Sequence, residues 1–442
     1  MQACALLSFG VHVTRKLFCI TFNNRSLLLV LAMAVNSTKV WAEQSNGADA
    51  DKQTIQMLLE RIDTLESQVA RLNAAMQQTP TTTRGAATPP APTPSEAQTE
   101  VESEMQPEAA AVDFSKTLLR IRGFGDIDLR GDNRRGDTTS FALGQLNLFV
   151  TSDISEKFKF LSEIVFEAGP DNAFGVDIER YLLLYSRNDY FNLAFGRYHT
   201  AIGYYNTAYH HSTWLQTATG RPFLFAFEDQ GGVLPIHNVG VSASGLIPSG
   251  PLGLHYVAEL GNGRASHSPQ AEAVQNVLDE NNHKAFNLAL FARPDRARGL
   301  QAGFSVYHDL LTPATAPAIG QTILDTYAVF VRPSFEWLNE FLLIRDAPTG
   351  SRVFHTPGFY TQISKLFGSY RPYFRYQYVN ASDNEPVFGP IYNRPVGLQQ
   401  GPSVGVRYNA SESVAFKLQY DYTAFRRQAA VNGLTLQAGF TF

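Results

Sequence analysis

Cysteine and long apolar segments are almost absent from this sequence. Cys4 and Cys19 are the only cysteines among its 442 residues, and both lie within the first 42 residues. If these residues are removed as a leader, the remaining chain has no disulfide, no reactive thiol and no cysteine-ligated metal site. After residue 42, no stretch approaches the roughly 18 consecutive apolar residues of a membrane-spanning helix. The sequence therefore excludes a disulfide-stabilised domain and a helical membrane protein.

Residues 1–42 have the features of a secretory signal peptide. Arg15, Lys16 and Arg25 precede an apolar segment at residues 27–35, and the residues up to Ala42 resemble a cleavage site. The apolar segment is too short to span a bilayer as a helix. We therefore predict export and cleavage after Ala42.

Residues 43–78 contain a heptad repeat. Their apolar residues are spaced alternately by three and four positions, the a and d pattern of a coiled coil. These residues are Ile55, Leu58, Ile62, Leu65, Val69, Leu72 and Met76. A segment this short is not stable as a single helix in water, so we predict a periplasmic coiled coil that associates with other chains. The residue types at a and d favour two strands in isolated peptides. An amphipathic helix that docks elsewhere is the alternative.

Residues 79–112 are rich in proline, threonine, alanine and glutamate and contain few large apolar side chains. Such a segment cannot bury enough surface to fold, so we predict a disordered, semi-extended linker. Residues 43–112 hold eleven acidic and four basic residues, whereas residues 113–442 are close to neutral. This charge distribution gives no indication of a nucleic-acid partner.

Residues 113–442 consist of short segments in which apolar and polar residues alternate, as in β-strands with one apolar and one wet face. We count 16 such segments, separated by alternating short and long connections. Bacterial barrels have an even number of antiparallel strands, short periplasmic turns and long external loops. We therefore predict an all-β transmembrane barrel of about 16 strands with a water-filled interior, surrounded by the lipid of the bacterial outer membrane. Fourteen and 18 strands are the alternatives.

The final strand has the clearest alternation. Leu434, Leu436, Phe440 and Phe442 share one face, and small or polar residues lie between them. Nine to eleven tilted residues are enough to cross the hydrocarbon of a bilayer. We predict that this strand closes the barrel.

The same alternation places basic side chains in the interior. These are Arg120 and Arg122 of the first strand, Arg371 and Arg375 of the thirteenth, Arg407 of the fourteenth and Lys417 of the fifteenth. Strands 13–15 and 1 are neighbours or near neighbours in a closed barrel, so we predict a basic wall that lines the pore. The alternative is that these charges only solvate the interior and pair with acidic residues such as Asp126 or Asp421.

The third external loop, near residues 199–236, is the longest and is rich in aromatic residues. An exposed loop of this composition would form a large apolar patch, so we predict that it folds into the barrel. It also carries His199, His210 and His211, but adjacent residues of an extended strand point to opposite faces, and we predict no metal site. No spacing of serine, histidine and carboxylate residues indicates an enzyme, and nothing indicates a cofactor.

These features resemble the trimeric general porins of Gram-negative bacteria, which have 16 strands and a third loop folded into the pore. The resemblance implies that acidic residues of this loop, here Glu228 and Asp229, face the basic wall across a constriction. It also implies a homotrimer, which would override the preference of the heptads for two strands. Residues 195–203, Phe-Gly-Arg-Tyr-His-Thr-Ala-Ile-Gly, resemble a segment of the phosphate-selective porins, some of which carry an amino-terminal coiled coil.

The predicted function is passive diffusion of ions and small hydrophilic solutes through a barrel constricted by its third loop. One alternative is a channel specific for phosphate, another anion or a sugar acid. Another is a tether between the outer membrane and the peptidoglycan, in which the pore is secondary.

Overall fold

The structure is a computed structural model that describes residues 119–169, 172–209, 211, 213–227, 230–267 and 277–442. The predicted signal peptide, coiled coil and linker lie outside the described residues, as do Glu228, Asp229 and His210. Among the described residues, no helix combines the length and apolar character needed to cross a membrane.

The described chain forms sixteen antiparallel strands in one closed sheet. Each strand pairs with the next along the chain, and β1 pairs with β16. This confirms the predicted barrel and its strand number. The strands are β1 (Leu119–Asp132), β2 (Ser140–Asp153), β3 (Phe158–Ala168), β4 (Phe174–Asn188), β5 (Phe191–His199), β6 (His237–Ile247), β7 (Leu254–Gly261), β8 (Ala285–Ala292), β9 (Leu300–Leu311), β10 (Ile319–Arg332), β11 (Phe335–Pro348), β12 (Phe354–Lys365), β13 (Tyr370–Asn380), β14 (Leu398–Asn409), β15 (Val414–Phe425) and β16 (Val431–Thr441).

The period of two in the sequence divides each strand into an apolar outer face and an inner face. In β15, Phe416 and Leu418 are 50% and 41% exposed, whereas the alternating Lys417 and Gln419 are buried. The outer faces of the other strands also expose leucine, isoleucine, valine and aromatic side chains. A continuous apolar exterior of this kind is costly in water and is the face that lipid covers.

Glycine–phenylalanine pairs close the barrel between β1 and β16. Gly125 lies opposite Phe440, and the backbones of Gly123 and Phe442 exchange two hydrogen bonds of 2.9 Å. The rings of Phe440 and Phe442 occupy the space that side chains on these glycines would fill; a Cβ on Gly123 would lie 2.1 Å from the Phe442 ring. The outer-face phenylalanines of the last strand therefore pack on bare backbone of the first, with Leu434 and Leu436 exposed further along the same face.

Short turns join the strands at one end of the barrel, and mostly longer connections join them at the other. The turns include residues 154–157, 189–190 and 333–334, and the longer connections include 200–236, 262–284 and 381–397. The alternation in length is less strict than the sequence suggested, because the turn at 293–299 contains a 3-10 turn, Asp295–Ala297, and is as long as the following connection, 312–318.

The barrel interior is not uniformly polar. On β10 and β11, inward-facing Ile323, Leu338, Leu342 and Ile344 are all completely buried and belong to one apolar cluster. The predicted water-filled interior is therefore bordered by an apolar surface on this part of the wall. These side chains are shielded because the connection between β5 and β6 and the connection at residues 381–397 supply apolar partners from within the barrel.

Candidate functional site: the third loop inside the barrel

Residues 200–236, called loop 3 below, leave the wall at the end of β5 and return at the start of β6. The last residue of β5, His199, lies directly opposite the first residue of β6, His237. A backbone hydrogen bond of 2.8 Å from Thr200 to Ile236 continues this pairing into the loop. Beyond it, the loop forms a single-turn helix, α1 (Tyr205–Ala208), and 3-10 turns at Thr213–Leu215 and Phe223–Phe225. We call the paired residues 199–200 and 236–237 the root of loop 3, and the residues between them its body.

Three basic side chains of the wall bind the middle of loop 3. Lys417 Nζ donates hydrogen bonds to the carbonyl oxygens of Thr213 and Ala218, at 2.5 and 2.9 Å. Arg407 Nη1 donates to the carbonyl oxygens of residues 214 and 216, at 2.7 and 2.9 Å. Arg375 Nη1 donates to that of residue 220, at 2.8 Å. The positive charges of β13, β14 and β15 thus satisfy backbone acceptors of a loop segment that crosses the interior.

Glutamine side chains of the same wall add contacts to loop 3. Gln419 Oε1 accepts a hydrogen bond from the Thr219 amide, and Gln437 Nε2 donates one to the Thr219 carbonyl, both at 3.1 Å. Gln377 Oε1 accepts from the Phe223 amide at 2.9 Å. Residues 213–223 are therefore held by every strand from β13 to β16.

Carboxylates on other strands bind the beginning of loop 3. Glu340 of β11 accepts hydrogen bonds from the amides of Tyr204 and Tyr205, at 2.6 and 3.0 Å, at the start of α1. Glu259 of β7 accepts from the amide of Ala201, at 3.0 Å to the nearer oxygen. A carboxylate at a helix start pairs with amides that have no partner within the helix. Acidic side chains of the wall thus accept hydrogen bonds from the backbone amides of loop 3.

Glu336, also on β11, adds to these acidic side chains. It accepts hydrogen bonds from the hydroxyl groups of Tyr209 and Thr217, at 2.9 and 3.3 Å. Nearby, burial and the negative charges of Glu336 and Glu340 raise the pKa of Tyr204 to about 12. The Tyr204 phenol is therefore neutral at physiological pH. Glu336 and Glu340 were not among the predicted site residues, although the outward-facing Trp337 and Phe341 that directly follow them indicate that both glutamates face inward.

Arg221 connects distant parts of loop 3 to one another. Its guanidinium donates to the carbonyl oxygens of Tyr209 and Phe225 and to the side chain of Asn206. It also lies 4.3 Å from the ring centre of Phe227. These contacts fold the loop onto itself, which explains why a basic residue occurs in a loop with predicted acidic character.

Aromatic packing fixes loop 3 against β12. Tyr205 and Phe225 are buried, and each ring makes an edge contact with Tyr360 at 5.9 Å. Leu224, completely buried, lies over Gly358, where a Cβ would be 2.3 Å from a Leu224 methyl carbon. The prediction that the aromatic loop folds inward agrees with this geometry.

The six predicted basic residues do not occupy one site. Arg371, Arg407 and Lys417 are directly opposed on adjacent strands, and this row continues through Gln437 to Asp128 on β1. Arg120 and Arg122 lie closer to the start of β1 and are exposed, and Arg120 pairs with Asp153 at 3.3 Å. Arg375 and Lys417 are almost completely buried beneath loop 3. The assignment of all six to the lining of the pore stays a prediction.

A cavity of about 610 Å³ lies between loop 3 and the turn at residues 293–299. Its lining includes Tyr204 of the loop, Arg293, Arg298 and Gln301 near the turn, and Val329 of β10. This space beside Tyr204 is partly polar, because arginine and glutamine side chains line it together with apolar ones.

Comparison with known proteins supports the architecture. No protein-family model and no curated protein matches the sequence. Among solved structures, the outer-membrane channel DcaP of Acinetobacter baumannii is 12% identical with a TM-score of 0.52, over 74% of this chain and 98% of its own. An anion-selective porin from Comamonas acidovorans is 11% identical with a TM-score of 0.53, over 74% of this chain and 100% of its own. The described chain therefore has the fold of Gram-negative outer-membrane porins, as predicted.

Proposed function

We propose that the protein is an outer-membrane porin through which ions and small hydrophilic solutes diffuse passively, and that loop 3 sets the narrowest point of the pore. The observation that carries this proposal is the attachment of loop 3 to the wall on two sides. Glu259 and Glu340 hold its beginning, and Arg375, Arg407 and Lys417 hold its middle. A loop bonded in this way reduces the open cross-section of the barrel.

Conductance of the purified protein in planar bilayers tests this function. We expect stable, ohmic single-channel currents that increase in proportion to salt concentration. A variant in which Arg375 and Arg407 are both replaced by glutamine should carry a larger and noisier current, because loop 3 then loses three of its attachments to the wall. An absence of conductance in a correctly folded preparation would contradict the proposal, and unchanged conductance in the variant would remove loop 3 from the constriction.

Charge across the pore provides a second test of the same proposal. Glu228 and Asp229 belong to loop 3, although they lie outside the described residues, and we propose that they face the basic wall. A transverse field between opposite charges favours polar solutes over apolar ones. Changing Glu228 to Gln together with Asp229 to Asn should shift the reversal potential in a salt gradient toward anions. An unchanged reversal potential would exclude these two residues from the constriction.

A second candidate function is a channel specific for an anion such as phosphate or a sugar acid. Its support is Arg264, which is 2% exposed inside the barrel and lies 4.8 Å from the ring centre of Tyr392. Arg264 Nη1 donates to Val233 and Gln321, but its Nε and Nη2 atoms have no hydrogen-bond partner among the described residues. Two unused donors of a buried guanidinium can bind an anion, in competition with the carboxylates of Asp309, Asp346 and Glu385, which also interact with the Arg264 charge. The similar structure from Comamonas acidovorans is that of an anion-selective porin.

Solute-dependent block separates the two candidates. A specific channel should show concentration-dependent block of its current by phosphate or by a sugar acid, and changing Arg264 to Gln should weaken that block. A diffusion porin should show the same current in either solute at equal conductivity.

We also propose that the chain acts without catalysis or a cofactor, and that it assembles as a homotrimer through the predicted coiled coil. In the tether alternative, this coiled coil would contact the peptidoglycan.

A further inference from the structure

Four titratable side chains meet at the root of loop 3. His199 ends β5, His237 begins β6, His211 comes from the body of the loop, and Glu179 lies on β4. One ligand atom from each histidine lies within 4.8 Å of the others. His211 and His237 are each 2% exposed and Glu179 is 7% exposed. The diffusion function uses none of these residues.

The strand register explains why two of these residues are neighbours, because His199 and His237 are directly opposed in the β5–β6 pair. On β4, Glu179 lies two residues before Tyr181, which pairs with Arg197 of β5, and its Oε2 is 2.9 Å from His237 Nε2. Loop 3 folds back and brings His211 to the same place. The sequence could indicate only the adjacent histidines of the loop, because the partners come from separate strands.

The distances between the ligand atoms match the coordination shell of a small metal ion. His211 Nε2 and His237 Nε2 are 3.4 Å apart. Glu179 Oε2 lies 2.9 Å from His237 Nε2 and 3.5 Å from His211 Nε2. A tetrahedral zinc ion with bonds of about 2.0–2.1 Å places its ligand atoms roughly 3.3 Å from one another. Three donor atoms therefore already have the spacing of three corners of a tetrahedron.

The surroundings orient these side chains. His199 Nδ1 lies 3.3 Å from the carbonyl oxygen of Asn206, and the tautomer that donates to this oxygen carries its lone pair on Nε2. The ring of His211 stacks on Phe227 with centres 3.8 Å apart and planes 5° apart. Arg197 Nη2 lies 3.4 Å from the Glu179 carboxylate. Outer-shell contacts of this kind fix ring orientation in metal sites.

We propose that His199, His211, His237 and Glu179 form a binding site for a divalent transition-metal ion of the zinc type. Three imidazole nitrogens and one carboxylate oxygen form a ligand set suited to zinc. The prediction of no metal site considered His199, His210 and His211 alone, and it did not include His237 or Glu179. A bound ion would tie the body of loop 3, through His211, to the two strands that form its root.

Metal content of the full-length protein tests this inference. The protein is purified in detergent without a histidine tag, stripped with a chelator, incubated with Zn²⁺ and passed through a desalting column. We expect about one tightly held zinc ion per chain by elemental analysis. Co²⁺ in place of Zn²⁺ should give the intense visible absorption of a tetrahedral site rather than the weak absorption of hydrated Co²⁺. Both measurements are independent of channel activity, so their failure would leave the proposed pore function intact.

Substitutions locate the ion. Changing His237 to Gln, or His211 to Gln, should weaken zinc binding at least about tenfold in a titration. Changing His308 to Gln is the matched control, because His308 lies on β9 and contacts Thr322 rather than the cluster. Heat-modified migration in gels shows that each variant forms a closed barrel. Sub-stoichiometric zinc in the wild-type protein would overturn the proposal, as would zinc retained in both variants or a cobalt spectrum of the hydrated ion. In that case Glu179 serves only as an acceptor for His211 and His237.

Discussion

Replacement of Lys417 by methionine tests how strongly the wall holds loop 3. The Lys417 side chain is 1% exposed and binds the carbonyl oxygens of Thr213 and Ala218. Methionine fills a similar volume but has no charge and no donor. The substitution therefore removes two charge-assisted hydrogen bonds and leaves two loop carbonyls without this partner, while the apolar contacts of the side chain are largely kept.

The expected weakening follows from the energies of such bonds. A hydrogen bond from a charged group contributes about 1.5–3 kcal/mol net, so two bonds set an upper range of roughly 3–6 kcal/mol. A buried ammonium also carries a desolvation cost that methionine does not have, which offsets much of that loss. We expect local undocking of residues 213–220 to become easier by about 2 kcal/mol, or roughly 30-fold in its equilibrium constant.

Amide hydrogen exchange, followed by mass spectrometry of peptides that cover residues 213–220, measures this equilibrium directly. Exchange in this segment should accelerate by a similar factor, while exchange in the strands stays unchanged. The control is Lys365→Met, because Lys365 lies at the exposed end of β12 and contacts only the ring of Phe367 among the described aromatic residues. If residues 213–220 exchange at the wild-type rate in Lys417→Met, the bonds from Lys417 do not hold the loop.

Other perturbations probe the barrel and its predicted extension. Arg180→Met should lower the urea midpoint of unfolding in lipid vesicles by an amount equivalent to about 3–5 kcal/mol, because Glu163, completely buried and 2.7 Å from Arg180, loses its partner. Wild-type stability in this variant would show that the pair is not needed. Gly123→Leu should reduce the yield of closed barrel in refolding assays followed by gel migration, since the new side chain meets the Phe442 ring; normal yield would contradict the packing at the seam. Deletion of residues 43–112 should leave single-channel conductance unchanged and reduce the trimer fraction on native gels. Loss of envelope integrity with unchanged trimer content would instead favour the tether.

The barrel could be predicted from the sequence because lipid imposes a simple rule on its outer face. Every second residue of a strand such as β15 must be apolar, and Phe416 and Leu418 obey this rule without reference to any other part of the chain. Strand number and closure follow from repetition of the same local pattern. A pattern that depends only on neighbouring residues of the same strand can be recognised in a single sequence.

The interior follows no such local rule, and here the prediction was incomplete. Leu338 and Leu342 face inward, although a water-filled lumen would favour polar residues at their positions. Their partners come from residues of loop 3 and of the connection at 381–397, far away in sequence. The orientation of Lys417 could be predicted, but its binding of loop carbonyls could not, because that depends on the backbone path of the loop.

The contacts of loop 3 also explain why it has one position in the barrel. Amides near its beginning, at residues 201, 204 and 205, meet carboxylates of β7 and β11, whereas carbonyls at residues 213–220 meet cations of β13 to β15. A shift of the loop along the wall would place carbonyls against carboxylates or amides against cations, and both arrangements are repulsive. Because carboxylates of the wall face loop amides and cations of the wall face loop carbonyls, the remaining bonds still favour the same position when one of these side chains is replaced. Such a replacement should therefore loosen loop 3 locally and leave its overall position unchanged.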